Sequence, residues 1–171
     1  QPDSCYTHIH APANTNTIST NNLMSLYQDE TNILWVGASL GGVNKWNRGG
    51  NDIEVYRHNP YRKNSLSASR VRSIYEDSQG TIWIGTVDGG LNKWMGEEGF
   101  AHYKHQPGNP NSLSYNHVRA IWEGSKGKLW VGTDGGGLNR LDPKTGQFRH
   151  YRHNPHNRSE EHTSELQSLS H

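Results

Sequence analysis

An all-β chain made of repeated four-stranded antiparallel units is the fold this sequence predicts, and three observations predict it. A pattern of 47–48 residues recurs about three times. Each copy divides into four short segments of strand character, separated by Gly, Asn, Asp and Ser turns. No stretch carries the 3.6-residue apolar stripe of an amphipathic helix.

The repeat is read from aligned segments. "ILWVGASLGGVNKW" from 33, "TIWIGTVDGGLNKW" from 81 and "KLWVGTDGGGLNRL" from 128 place Trp35, Trp83 and Trp130 at intervals of 48 and 47 residues. Gly37, Gly85 and Gly132 keep that spacing, as do Gly42, Gly90 and Gly137, and Asn44, Asn92 and Asn139. Tyr56, Tyr103 and Tyr151 follow, each leading into "RHNP", "KHQP" or "RHNP". "NSLSASRVRSIYED" from 64 matches "NSLSYNHVRAIWEG" from 111 and "NTISTNNLMSLYQD" from 16, so the periodicity runs from about residue 8 to 157.

Within one period every element is a strand. "VRSIYED" at 71–77 alternates and ends in the turn "SQG"; "TIWIGT" at 81–86 is β-branched and aromatic, as a buried strand should be. "GLNKW" at 90–94 follows the glycine turn, and "FAHYKH" at 100–105 follows "MGEEG". Such a four-stranded meander, repeated at this period, is a β-propeller blade. The "HxPxxxNSLS" stretch links blades, with Leu66, Leu113 and Ile18 as its apolar anchors. The expected organisation is the end of a preceding blade at 1–17, blade repeats at 18–65 and 66–112, and an incomplete repeat at 113–157. Propellers have about four to eight blades, so the chain is expected to be a segment of an incomplete ring, beginning inside a longer chain. Residues 158–171, with "RSEEHTSELQS", break the pattern, resemble a translated sequencing adapter and are expected to be a non-native tail.

The recurring residues read first as structure. Trp35, Trp83 and Trp130 sit mid-strand between apolar neighbours, where large rings build the contact between blades. Gly37 with Gly42, Gly85 with Gly90 and Gly132 with Gly137 bracket a loop that could suggest a phosphate cradle. That chemistry needs a following Lys and a helix N-terminus. Here Leu and Asn precede another strand, and the loop occurs three times, so the glycines are expected to supply the positive φ of a tight turn. His10, His58, His105 and His153 recur a blade apart, which disfavours a metal site. Asp29, Glu76, Asp77 and Glu123 fall at strand-end turns, where solvated acids explain them as well as a glycosidic carboxylate pair does. Positions that differ between blades are better ligand candidates, and Trp122 stands where other copies have Tyr75 and Tyr27; in the glycine loops Asp134, and Asp88 one blade earlier, are the residues expected to be open to ligand contact.

Composition limits the function classes. Hydrophobic residues are 30% and mean hydropathy is −0.96, balanced by 6 Trp and 8 Tyr that bury much area per position. Net charge is +1, from 17 basic against 16 acidic residues with no basic run, so a nucleic-acid partner is not expected. No apolar window reaches membrane-spanning length, and the single Cys5 has no partner for an internal disulfide.

"VRSIYEDSQGTIWIGTVDGGLNKW" at 71–94 resembles the two-component regulator propeller repeat, with its V-x-x-I-x-E-D, G-x-L/I-W-I/V-G-T and G-G-L-N signatures. The resemblance spans about 8–157. Departures are local: "GASLGGVN" replaces "GTxGGGLN" in the first copy, and Gly124 stands where the other copies have Asp. The resemblance implies a periplasmic or extracytoplasmic sensor segment of a hybrid sensor histidine kinase. It also implies an oligosaccharide or other small ligand, no cofactor, no metal, no catalytic residue in this segment, further blades as neighbours, and a dimeric parent. Competing classes are a diguanylate cyclase sensor, a carbohydrate-active enzyme on a propeller scaffold, and a protein-interaction platform. Clustered acids at one end of the ring would favour the enzyme.

Overall fold

The computed structural model describes residues 7–14, 16–47, 49–50 and 52–153; the tail at 158–171 lies outside them. Twelve strands form three four-stranded antiparallel sheets, each a meander in chain order. The first comprises β1 (Leu23–Gln28), β2 (Ile33–Ala38), β3 (Val43–Asn47) and β4 (Asp52–Tyr56). The second comprises β5 (Val71–Glu76), β6 (Ile82–Thr86), β7 (Gly90–Trp94) and β8 (Phe100–Tyr103). The third comprises β9 (Val118–Glu123), β10 (Leu129–Thr133), β11 (Gly137–Asp142) and β12 (Gln147–Tyr151). β1 lies against β5 and β5 against β9, so the first strand of each sheet is innermost, and the sheets follow one another as propeller blades do.

The core lies between blades. Trp35 and Val43 of the first sheet meet Leu66, Val71, Ile82, Ile84 and Phe100 of the second. Trp83 and Leu91 of the second meet Leu113, Val118, Ile121, Leu129 and Val131 of the third. Ile18, Leu66 and Leu113 of the links are all buried. The two outer faces of the stack carry counterparts of these core residues in the open. Leu26 of β1 is 65% exposed, whereas Ile121, at the same repeat position, is 8% exposed.

Three polar devices recur and hold the blades in register. The side chains of Asn44, Asn92 and Asn139 are fully buried; each accepts from a link amide (Ser19, Ser67 or Ser114) and donates to a carbonyl of the neighbouring strand (Val36, Ile84 or Val131). His10, His58 and His105 each place Nδ1 at 2.8–2.9 Å from the carbonyl of Ile18, Leu66 or Leu113. A carbonyl only accepts, so Nδ1 carries the proton. These histidines fasten the links.

The strand-end acids are not merely solvated turn residues. Asp77 Oδ1 accepts from the amides of Gln79 and Thr81, and its Oδ2 accepts from Trp83 Nε1 at 2.7 Å. Asp29 does the same for Thr31, Ile33 and Trp35. The preceding acid reaches back to the previous blade: Glu76 accepts from Tyr27 Oη and the Glu30 amide, and Glu123 from the Ser78 amide and hydroxyl. Burial and then the Glu76 bond push the Tyr27 phenol up to about 12.

Two predictions arise here. Burial alone would raise the Asp29 carboxyl, but the bonds from Thr31 and Trp35 and from the Ile33 amide outweigh it and hold it below its ordinary value. A depressed folded-state value means that this stabilisation is present above the unfolded carboxylate value of about 3.9 and is lost as pH falls through the folded one. The thermal midpoint should therefore drop more steeply below about pH 4 in the native chain than in Asp29→Asn. Parallel profiles would refute the role.

The second concerns the first glycine loop. Thr86 and Thr133 bond the link hydroxyls of Ser67 and Ser114, but Ala38 occupies that position in the first blade, and Ser19 Oγ is buried without a partner. Ala38→Thr should raise stability by about 0.5–1.5 kcal/mol, read from the urea midpoint. No gain, or a loss, would mean that the first loop cannot accept the repeat's geometry.

Candidate functional site

Antiparallel order gives each blade two ends. One end carries the two ends of each link (within 57–70 and 104–117) and the loops between second and third strands; the other carries the remaining turns, and the middle of each link reaches it along the fourth strand, where the Asn64 and Asn111 carbonyls accept from the Phe100 and Phe148 amides. The residues that recur in every copy are those in the core and links. At the link end, by contrast, the innermost strands present Met24, Arg72 and Arg119 at one repeat position, preceded two residues earlier by Asn22, Arg70 and His117.

That position is structurally unusual. Leu23 pairs with Ala38 and Ser25 with Gly37, Val71 with Thr86 and Ser73 with Gly85, and Val118 with Thr133 and Ala120 with Gly132. One residue is left over in each innermost strand: Met24, Arg72 or Arg119. This is a β-bulge, which bends the strand and re-aims a side chain.

Arg119 reaches the third loop, and Arg72 is near enough for its charge to act on the same carboxylate. Arg119 donates to Asp134 Oδ2 at 2.5 Å, and His117 Nδ1 lies 3.7 Å from the same oxygen. The Arg119 hydrogen bond, opposed by slight desolvation, holds the Asp134 carboxyl below its ordinary value, and the nearby charges of Arg119, His117 and Arg72 add to this. Arg70 donates to the Ser39 carbonyl of the preceding blade. Tyr115, 48% exposed, lies beside Gly135 in the same loop as Asp134. Such a constellation can grip a polar ligand through planar guanidinium donors, a carboxylate acceptor and an aromatic face.

The sequence candidates fall in different places. Asp134 belongs to this cluster. Asp88 is exposed in the second loop at φ 66, where the third blade has Gly135 with φ 105, so the two aspartates are not equivalent positions one blade apart. Val87 is the true counterpart of Asp134. Trp122 is 51% exposed and pairs with Trp130 across β9 and β10. It stands where Tyr75 packs against the next blade's core, which makes it part of a blade face and not of the link-end cluster. Trp35 and Trp83 are buried between blades, and Trp130 is buried against Tyr151 under Arg140.

The glycines divide into two kinds, contrary to a single turn role. Gly42, Gly90 and Gly137 have φ of 81°, 83° and 78°. Gly37 and Gly85 do not; a Cβ there would meet a serine hydroxyl of the innermost strand and, at 2.6 Å, Cγ1 of Val71 or Val118 in the next blade. They permit close approach near the axis. Gly132 has no such neighbour among the described residues.

Sequence reasoning missed Arg72, Arg119, His117 and Tyr115, although the switch from Met24 to arginine at one repeat position was visible. Elsewhere, a cleft of about 540 Å³ opens at the rim between the first two blades, lined by Tyr56, Tyr61, Arg62, Glu97 and Phe100 together with the link. Among the described residues no group of three or more His, Cys, Asp or Glu side chains could hold a metal ion, and no helix is long and apolar enough to cross a membrane.

Comparison with known proteins agrees with this architecture. The chain is similar to the extracellular domain of a hybrid two-component system from B. thetaiotaomicron, at 32% identity and a TM-score of 0.69, over 77% of this chain and 18% of that one. A second such domain from the same organism matches at 21% identity and a TM-score of 0.63, with the same coverage. Virginiamycin B lyase from Staphylococcus aureus matches at 17% identity and a TM-score of 0.59, over 81% of this chain and 43% of that one; at that identity the likeness is one of fold. The chain thus spans about a fifth of the extracellular domains it matches. No curated protein matches it in sequence. The model of the two component regulator propeller family matches residues 65–88. Those residues are a two component regulator propeller repeat, set in a fold that the chain shares with the extracellular domains of hybrid two-component systems.

Proposed function

We propose that this chain is part of the ligand-sensing, extracytoplasmic propeller of a two-component sensor histidine kinase, with a carbohydrate as its ligand. The 32% identity to the extracellular domain of a hybrid two-component system carries the reading. The link-end cluster supports it, because a rigid repeated frame presents there the side chains that differ between blades. Tyr115 offers a ring face, and Arg119 and Asp134 offer hydrogen-bonding groups of both kinds, a combination suited to sugars. Signalling would follow if the ligand bound one arrangement of a dimeric parent better than another. The decisive observation is the complete parent gene together with phosphoryl transfer by its product. A downstream kinase whose labelling responds to an oligosaccharide mixture is expected. A parent with no output module would sink the proposal.

A further inference from the structure

We propose that the link-end mouth is a binding site for an anionic, carboxylate-bearing sugar, gripped by the bulge arginines Arg72 and Arg119. This rests on the ligand-sensing reading and deepens it by naming the ligand's charge.

Three observations carry the assignment. First, the two ends of the blades differ in charge although the whole chain is nearly neutral. Among the described residues Asp88 and Asp134 are the only acids in the links, in the loops between second and third strands, or at the adjoining strand ends. The same region holds Arg57, Arg70, Arg72, Lys104 and Arg119, while the acids concentrate in the turns of the opposite end. A surface dominated by one sign of charge raises the local concentration of the opposite ion. Second, both arginines occupy the β-bulge, outside the pairing ladder of their sheets, in two consecutive blades whose innermost strands are in contact. Third, the cluster is only half neutralised. Asp134 pairs with Arg119, whereas among the described residues no acid lies within ion-pair distance of Arg72 or Arg70.

The Asp134 carboxylate fixes the Arg119 guanidinium in place before any ligand arrives. Arg72 then supplies a planar fork suited to a second carboxylate. His117 Nδ1, 3.7 Å from the same Asp134 oxygen, helps to hold that carboxylate in place. Tyr115, beside the same loop, provides a face for the sugar ring.

The test titrates the chain with oligogalacturonide and with its fully methyl-esterified form, which keeps the sugar and removes the charge. Saturable binding of the acid, weakened at least tenfold by esterification and by Arg72→Gln, is expected. Arg62→Gln, at the rim, should leave affinity within twofold. Circular dichroism and tryptophan emission unchanged in Arg72→Gln would exclude misfolding as the cause, and Arg72→Lys should restore part of the binding. Equal binding of acid and ester would overturn the proposal while leaving sugar sensing intact. Equal losses in Arg62→Gln and Arg72→Gln would also overturn it, reducing the effect to diffuse charge, and so would no binding of either compound. A parent gene without an output module, combined with charge-dependent binding, would defeat the signalling reading alone.

Discussion

Replacing Trp83 by alanine is expected to cost about 3–5 kcal/mol, the range for losing a large aromatic side chain from a packed core. The ring is fully buried between the second and third blades, next to Leu113, Val118 and Ile121, with Tyr103 at 5.6 Å and Lys93 over its face. Its Nε1 bonds Asp77, so truncation also removes one of the anchors of the turn that leads into β6. Trp130 holds the same place in the repeat but a poorer environment. Its blade has Gly124 in place of the aspartate, and its ring meets Tyr151 and Arg140 of its own sheet. Trp130→Ala should therefore cost less, about 2–3 kcal/mol, since it breaks no aspartate bond and opens no cavity between two described blades. Urea denaturation of both variants decides the matter, and equal losses would show that burial between described blades is not what makes Trp83 important.

Asn92→Ala should cost about 2–4 kcal/mol, because it strands two buried backbone groups at once. The Ser67 amide would lose its acceptor at 2.9 Å and the Ile84 carbonyl its extra donor at 3.2 Å. Neither water nor another side chain stands ready, since Asn92 is fully buried and Ser67 is 7% exposed. The loss should have a local signature as well. Hydrogen exchange at the Ser67 amide should accelerate beyond what the global change explains, because the link is released before the sheet opens. If Ser67 keeps its protection, the link is held by Leu66 and His58 and the asparagine is dispensable.

The strands, the link anchors and the blade order were legible because the repeat supplies three readings of each position, so an ambiguous segment is settled by its copies. What stayed hidden depended on neighbours in space. Gly37 and Gly42 are the same letter, yet one makes room for Val71 of the next blade and the other adopts a left-handed backbone. Val71-Arg72-Ser73 reads as ordinary alternation, and only the pairing with β6 reveals the bulge. The aspartates misled for a related reason: "GTVDGG" and "GTDGGG" differ by a one-place shift that motif matching does not see. The turn acids looked interchangeable, but Asp77 tightens its own turn whereas Glu76 reaches into the previous blade.

The bulge has a consequence for how such a protein could change over time. A residue outside the hydrogen-bonding ladder answers neither to the register of its sheet nor to the packing between blades, so its identity can drift without loss of the frame. Methionine in one blade and arginine in the next two already show that tolerance. Each blade thus contributes one exchangeable character to a shared opening, and altered taste in ligands requires only respelling, with the scaffold left as it is.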